Sequence, residues 1–251
     1  MRKALRNLLA AGFIAACAWA VPAQAGIVVT GTRVIFPANE REVTIKLNNA
    51  GAAPALVQAW IDDGDPNASP DKIDVPFVLT PAMFRLDPAK GQTLRLIYTG
   101  APLAQDKETL FWLNVLEIPP KPSAEAGSVN RLQLAFRTRI KVMFRPQGLP
   151  GRPDEAPGKV RWELVQTSGG YQLKATNPTP YHVNLGALAL VAGGQTLDAG
   201  AGYIKPGESA EFPVAGLKGW PKADAQVQYS AINDYGAAVK SQAPVTSAPT
   251  P

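Results

Sequence analysis

The chain has 251 residues, with 25 lysines and arginines against 20 aspartates and glutamates, a formal net charge of +5, one cysteine and one histidine. That length carries one large or two ordinary domains. The only cysteine, Cys17, lies in an amino-terminal run expected to be cleaved on export, and one histidine without a cysteine supplies neither the usual zinc ligand sets nor Cys–His catalysis; with no glycine-rich phosphate loop or nucleophile elbow an enzyme is not expected.

Residues 1–25 read as an export signal: Arg2, Lys3 and Arg6, then the apolar run Leu8 to Ala20, then the small-residue site Ala23-Gln24-Ala25. Cleavage there leaves Gly26 first and lowers the net charge from +5 to +2, because three positive and no negative residues depart. The basic balance is therefore no pointer to nucleic acid. Ile14-Ala15-Ala16-Cys17 also fits a lipobox, so a lipid on Cys17 stands as the alternative to a free Gly26. If the signal is cleaved, the only cysteine leaves with it, and the exported domains use no disulfide. No segment after residue 25 approaches 18 consecutive apolar residues, so no transmembrane segment is expected.

Short alternating runs follow, each closed by turn residues. Ile27 to Phe36, Glu42 to Asn48, Ala55 to Ile61, Phe77 to Leu79, Gln92 to Tyr98 and Thr109 to Ile118 are strand candidates, broken by Pro37, Asn49-Ala50-Gly51, Pro88 and Gly91. The next run, Val129 to Pro146, is the longest. Leu132, Leu134, Phe136, Ile140, Val142 and Phe144 occupy even positions, and Arg131, Arg137, Arg139, Lys141 and Arg145 odd ones. A period of two is a strand signature. At about 3.3 Å per residue the run would reach roughly 45 Å, longer than the domain that roots it. Seven strands in about 120 residues is sandwich spacing.

Residues 149–158 are expected to be a linker, within a Pro146–Gly158 stretch of four prolines and three glycines. Strands resume at Val160 to Gln166, Tyr171 to Thr176, Tyr181 to Leu190, Ala210 to Val214 and Val227 to Ile232. The organisation predicted is a signal at 1–25, a domain at 26–148, the linker, a domain at 159–243 and a flexible tail at 244–251.

In the acidic loop Asp62-Asp63-Gly64-Asp65-Pro66-Asn67, Asp63, Asp65 and Asn67 have the alternate spacing of calcium ligands, but Ala68 stands where the sharp turn needs glycine and Asp74 where the loop needs glutamate. A solvated hairpin loop is the better reading. His182 reads as a strand-end residue. Glu108, Arg145 and Asp234 are either unrelated surface charges or an ion-pair network across a domain interface, with Arg145 as its bidentate centre.

Leu103 to Pro120, with its core Glu108-Thr109-Leu110-Phe111-Trp112-Leu113-Asn114-Val115, resembles the signature stretch of PapD-like periplasmic pilus chaperones. Gly31 to Phe36, Gln58 to Ile61, Pro76 to Pro81, Phe84 to Leu86, Ile140 to Pro146, Asn177 to Tyr181 and Ile232 to Gly236 fit in the same order. The resemblance implies an all-β protein of two immunoglobulin-like β-sandwich domains with a cleft between them. It implies that Arg33 and Lys141 bind the C-terminal carboxylate of a pilus subunit, and that Glu108, Arg145 and Asp234 form an interdomain salt bridge. It further implies that Leu132, Leu134 and Phe136 are lent to a subunit lacking its last strand, by donor-strand complementation. Pilus subunits and an outer-membrane usher are the expected partners, with no cofactor or metal. The short polar segment KPSAEAGSV before the donor residues resembles the short-loop subclass.

Two other readings remain at this point. A secreted or lipid-anchored sandwich could recognise a surface polymer through Trp60, Trp112 and Trp162. A fibre subunit would need a donor extension at the mature amino terminus, where Gly26 to Thr30 is short. Whether the free chain self-associates by pairing exposed strands is open.

Overall fold

The computed structural model describes residues 26–120, 133–221 and 225–247. In the first domain β1 (Ile27–Val29), β2 (Arg33–Pro37), β3 (Glu42–Asn49), β4 (Ala55–Asp62), β5 (Phe77–Thr80), β6 (Met83–Leu86), β7 (Gly91–Tyr98), β8 (Thr109–Ile118) and β9 (Phe136–Arg145) make two facing sheets, ordered β1-β3-β7-β5 and β2-β9-β8-β4-β6. The first strand candidate is thus two strands, split at Thr30-Gly31-Thr32, with one half in each sheet. β2 runs parallel to β9; the other pairings of this domain are antiparallel. Every second side chain points inward: Ile45 and Leu47, Val57, Ala59 and Ile61, Leu94 and Leu96, Phe111, Leu113 and Val115, and Ile140, Val142 and Phe144 fill the core. Phe77 sits edge-on between Phe36 and Phe111, at 5.3 and 5.0 Å between ring centres. Each such side chain contributes about 1.5–3 kcal/mol by burial.

The second domain repeats the plan. Its strands are β10 (Arg161–Thr167), β11 (Gly170–Thr176), β12 (Val183–Ala192), β13 (Gln195–Ile204), β14 (Ser209–Pro213), β15 (Gln226–Ile232), β16 (Ala238–Pro244) and β17 (Thr246–Ser247), in sheets ordered β14-β11-β10-β17 and β13-β12-β15-β16. Trp162 stacks 5.5 Å from Tyr229 at the centre of its core and is 2% exposed, which removes it from any surface contact. No helix among the described residues is long and apolar enough to cross a membrane.

Three expectations change. The ladder of the long strand begins at Phe136; residues 133–135 lie outside it, and Leu132 lies outside the described residues. The second domain begins inside the expected linker: Ala156 is a core residue, and the Tyr229 hydroxyl donates to the Pro157 carbonyl at 2.9 Å. Residues 244–247 of the expected tail are not free, because Thr246 and Ser247 pair in parallel with Glu163 and Leu164.

Candidate functional site

The site lies where the domains meet, and it is assembled around Arg145 at the end of β9. Its Nε donates to Glu108 Oε1 at 2.6 Å, while Nη1 and Nη2 grip the two oxygens of Asp234 at 2.7 and 2.9 Å. Burial works against this guanidinium's charge, but the hydrogen bonds to Asp234 and the charge of Glu108 outweigh it and push its pKa up. Glu108 is fully enclosed, and its second oxygen accepts from the His182 backbone N–H at 2.7 Å and faces His182 Nδ1 at 3.1 Å. His182 is therefore part of the interdomain network and not a plain strand-end residue.

Local sequence explains why these groups meet. Asn177 accepts from Thr179 N–H at 3.0 Å and donates to the Tyr181 carbonyl at 2.7 Å, folding Pro178-Thr179-Pro180 so that the Pro180 carbonyl receives the Glu108 N–H. On the far side Asn233 Oδ1 accepts from the N–H groups of Tyr235 and Ala237, shaping the turn that carries Asp234. Gly236 closes this turn at a φ of 82°, and a Cβ there would stand 2.6 Å from Thr32 Oγ1. Only glycine permits both the left-handed backbone and the approach to the first domain.

Beside this lock lies a cationic cleft. Arg33 and Lys141 face one another in the parallel β2–β9 register. Arg33 Nη1 donates to the Ile232 carbonyl at 3.1 Å, while its Nε is buried with no partner among the described residues. Lys141 Nζ donates to Asn184 Oδ1 at 2.5 Å and sits 4.1 Å from the centre of the Tyr203 ring. Burial, helped by the nearby Arg33 charge, lowers the Lys141 pKa from 10.5 to about 8. Among the described residues neither cation forms a salt bridge, although the charge of Asp234 acts on Arg33 from a distance.

The strand that carries Lys141 continues past its neighbour β2. β8 pairs with β9 from Phe136 to Phe144, but β2 covers only Lys141 to Arg145. From Phe136 to Ile140 the other edge of β9 has no strand partner among the described residues. The face that fills the core at Ile140, Val142 and Phe144 emerges here as Phe136, 63% exposed, preceded by Leu134 at 51%. Unpaired backbone groups with apolar side chains beside them form an edge suited to strand addition.

Sequence reasoning missed a second ion pair under this edge. Asp62, placed in the expected solvated loop, is buried at the end of β4. It accepts from Arg139 Nε at 3.1 Å and Nη2, from Asn114 Nδ2 at 2.6 Å and from the Gly64 N–H at 2.8 Å. Arg139 in turn lies over Trp112 at 4.2 Å, so Trp112 belongs to the cleft wall and not to the core. Trp60 is half-buried. Desolvation raises the Asp62 pKa, but hydrogen bonds from Arg139, Asn114 and Gly64 more than offset it and hold the carboxyl below its usual range. Stability from this pair is therefore present above a free carboxyl's pKa and lost as pH falls through the depressed folded value. Asp62→Asn is expected to cost about 1–3 kcal/mol at neutral pH, with the gap to wild type closing as pH falls below the ordinary aspartate range, as read by urea denaturation at each pH.

Two β-sandwiches joined through buried charges, with an open strand edge beside two cations, make up the site of a two-domain all-β protein. The chain belongs to the family of pilus assembly chaperones, which are not enzymes: residues 26–150 match the N-terminal domain of the pili and flagellar-assembly chaperone PapD, and residues 155–243 match the C-terminal domain of the pili assembly chaperone PapD. It is 43% identical over 233 residues to the probable fimbrial chaperone YadV of Escherichia coli K12, covering 92% of this chain and 94% of that one. The crystal structure of YadV superposes with a TM-score of 0.76 at 40% identity, covering 88% of this chain and all of the other. The Salmonella enterica SafB chaperone, solved in complex with the SafA pilin, gives a TM-score of 0.71 at 28% identity, covering 89% of this chain and 98% of that chain.

Proposed function

We propose that this chain is a periplasmic chaperone that holds a pilus subunit by its C-terminal carboxylate and its unfilled groove, and hands it to an outer-membrane usher. The open edge of β9 from Phe136 to Ile140, ending beside Arg33 and Lys141, carries the reading. A carboxylate placed in the cleft can accept from the Arg33 guanidinium and from Lys141 Nζ, and the subunit's C-terminal segment then runs along the edge. Leu134 and Phe136 are presented to its groove, with Leu132 as the next donor outside the described residues. Side chains of this kind add on the order of 1.5–3 kcal/mol each when buried, enough for a lasting but releasable complex. The same open edge offers free chains a means of pairing with one another.

Phe136→Asp, Arg33→Ala and Lys141→Ala, made separately, test this. Phe136 is exposed, so its variant is expected to fold normally yet recover less than a tenth of the wild-type subunit on purification from the periplasm, since a carboxylate must then be desolvated in an apolar groove. The two cleft variants are expected to behave alike. Undiminished co-purification with all three would overturn the assignment.

A further inference from the structure

Lys141 grows from the first domain, yet the nearest groups to its ammonium, Asn184 and Tyr203, belong to the second, with Trp112 of the first domain farther off at 5.6 Å. Asn184 and Tyr203 are register partners on β12 and β13, facing the cleft together. Asn184 is 6% exposed and is fixed from both ends: Nδ2 points at Met143 Sδ, 3.8 Å away on the same strand as Lys141, which turns Oδ1 onto Nζ. The Tyr203 ring lies under Nζ and is itself held edge-on by Trp112, with 6.3 Å between ring centres. A lysine stem is flexible and its ammonium has three donors and no acceptor. Here one donor is taken by Asn184 and the ring faces the ammonium from one side, so the remaining donation has a direction before any ligand arrives. Order established in advance does not have to be created on binding.

The geometry points to Asn184 and Tyr203 as positioning residues for Lys141, which makes carboxylate capture depend on the docked state of the two domains. This rests on the reading of Arg33 and Lys141 as the anchor, and deepens it: the second domain then acts on the anchor without touching the carboxylate. Tyr203 needs only its ring, since cation–π attraction comes from the aromatic face. Asn184 needs a neutral acceptor, because an anion there would occupy the lysine itself.

The test uses the full mature chain and an N-acetylated peptide of alternating valine and threonine, made as the free acid and as the C-terminal amide. The ratio of the two affinities isolates the carboxylate's share, which a general loss of structure would not change selectively. Wild type is expected to prefer the acid by about tenfold or more, as for a charge-assisted hydrogen bond. Asn184→Ala and Tyr203→Leu should each lower that ratio several-fold while leaving amide binding nearly unchanged, and Tyr203→Phe should retain it. Asn184→Asp should bring the ratio close to one and raise the Lys141 pKa, because the introduced carboxylate favours the ammonium. Protection of the Glu108 amide against hydrogen exchange reports that each variant keeps its domains docked. If Lys141→Ala loses the preference while Asn184→Ala and Tyr203→Leu keep it, the positioning role is wrong and the anchor stands. If wild type shows no preference for the acid, the anchor reading falls, and this inference with it.

Discussion

Arg145→Ala is expected to weaken the contact between the two domains by about 3–5 kcal/mol, the range for removing one partner of a buried ion pair. The size follows from what stays behind. Glu108 has a side chain only 1% exposed, and without Arg145 its carboxylate keeps just the two contacts from His182. Asp234 is 29% exposed, so water replaces its lost partner; Asp234→Ala should itself cost far less, about 1 kcal/mol, because the Arg145 left behind is 19% exposed and keeps Glu108. Arg145→Lys should fall between them, since one ammonium cannot supply three donors in a fork to two carboxylates. The most direct measure is the Glu108 amide, which crosses the interface to the Pro180 carbonyl at 2.9 Å. Its hydrogen-exchange protection should drop by roughly a hundredfold to a few thousandfold in Arg145→Ala. Adding Glu108→Gln should restore much of it, because the stranded charge and not the missing guanidinium is the main cost. Unchanged protection in Arg145→Ala would mean that apolar contacts alone dock the domains.

That lock was only half legible from the chain. Arg145 announced itself by lying on the charged parity of a period-two strand, but Glu108 and Asp234 lie 37 and 89 residues from it and nothing local pairs them. Only their motif contexts, through the family resemblance, put them together. His182, Asn184 and Tyr203 gave no signal at all: a strand residue facing a cleft looks like one facing solvent until the other domain is placed. Asp62 misled because it stands at the junction of a buried strand and an acidic loop, and composition assigned it to the loop. The strands that escaped, β6, β13, β16 and β17, are short or weakly patterned. Gln195 to Ile204 mixes two alanines and two glycines into its alternation, and Ala238 to Pro244 is an edge strand whose only large apolar side chain is Val239. The long strand's parity was readable because side chains must alternate. Where its ladder stops was not, since that depends on how far β2 and β8 reach.

Raising pH should separate the chaperone's stability from its grip on a carboxylate, and Lys141 is the reason. With a folded pKa of about 8 against an ordinary 10.5, the unfolded chain holds this proton longer than the folded one. The burial penalty is therefore complete below pH 8 and is relieved as pH rises toward 10.5, so Lys141 makes the free protein more stable across that window. Binding must run the other way. A carboxylate beside Nζ favours the ammonium and raises its pKa, so above pH 8 the ligand is captured only with uptake of a proton. Affinity for the acid-ended peptide should then fall by up to about tenfold per pH unit above 8, while affinity for the amide stays level. Lys141→Arg removes the titration, because a guanidinium keeps its charge throughout, and its acid-to-amide ratio should be flat over the same range. Lys141→Met should be at least as stable as wild type at pH 7, with the desolvation cost gone, yet show no preference for the acid. If the wild-type ratio does not move between pH 7 and 9, Lys141 does not meet the carboxylate as a titrating cation. If it falls as expected, a cation that costs stability at neutral pH is kept for what it binds.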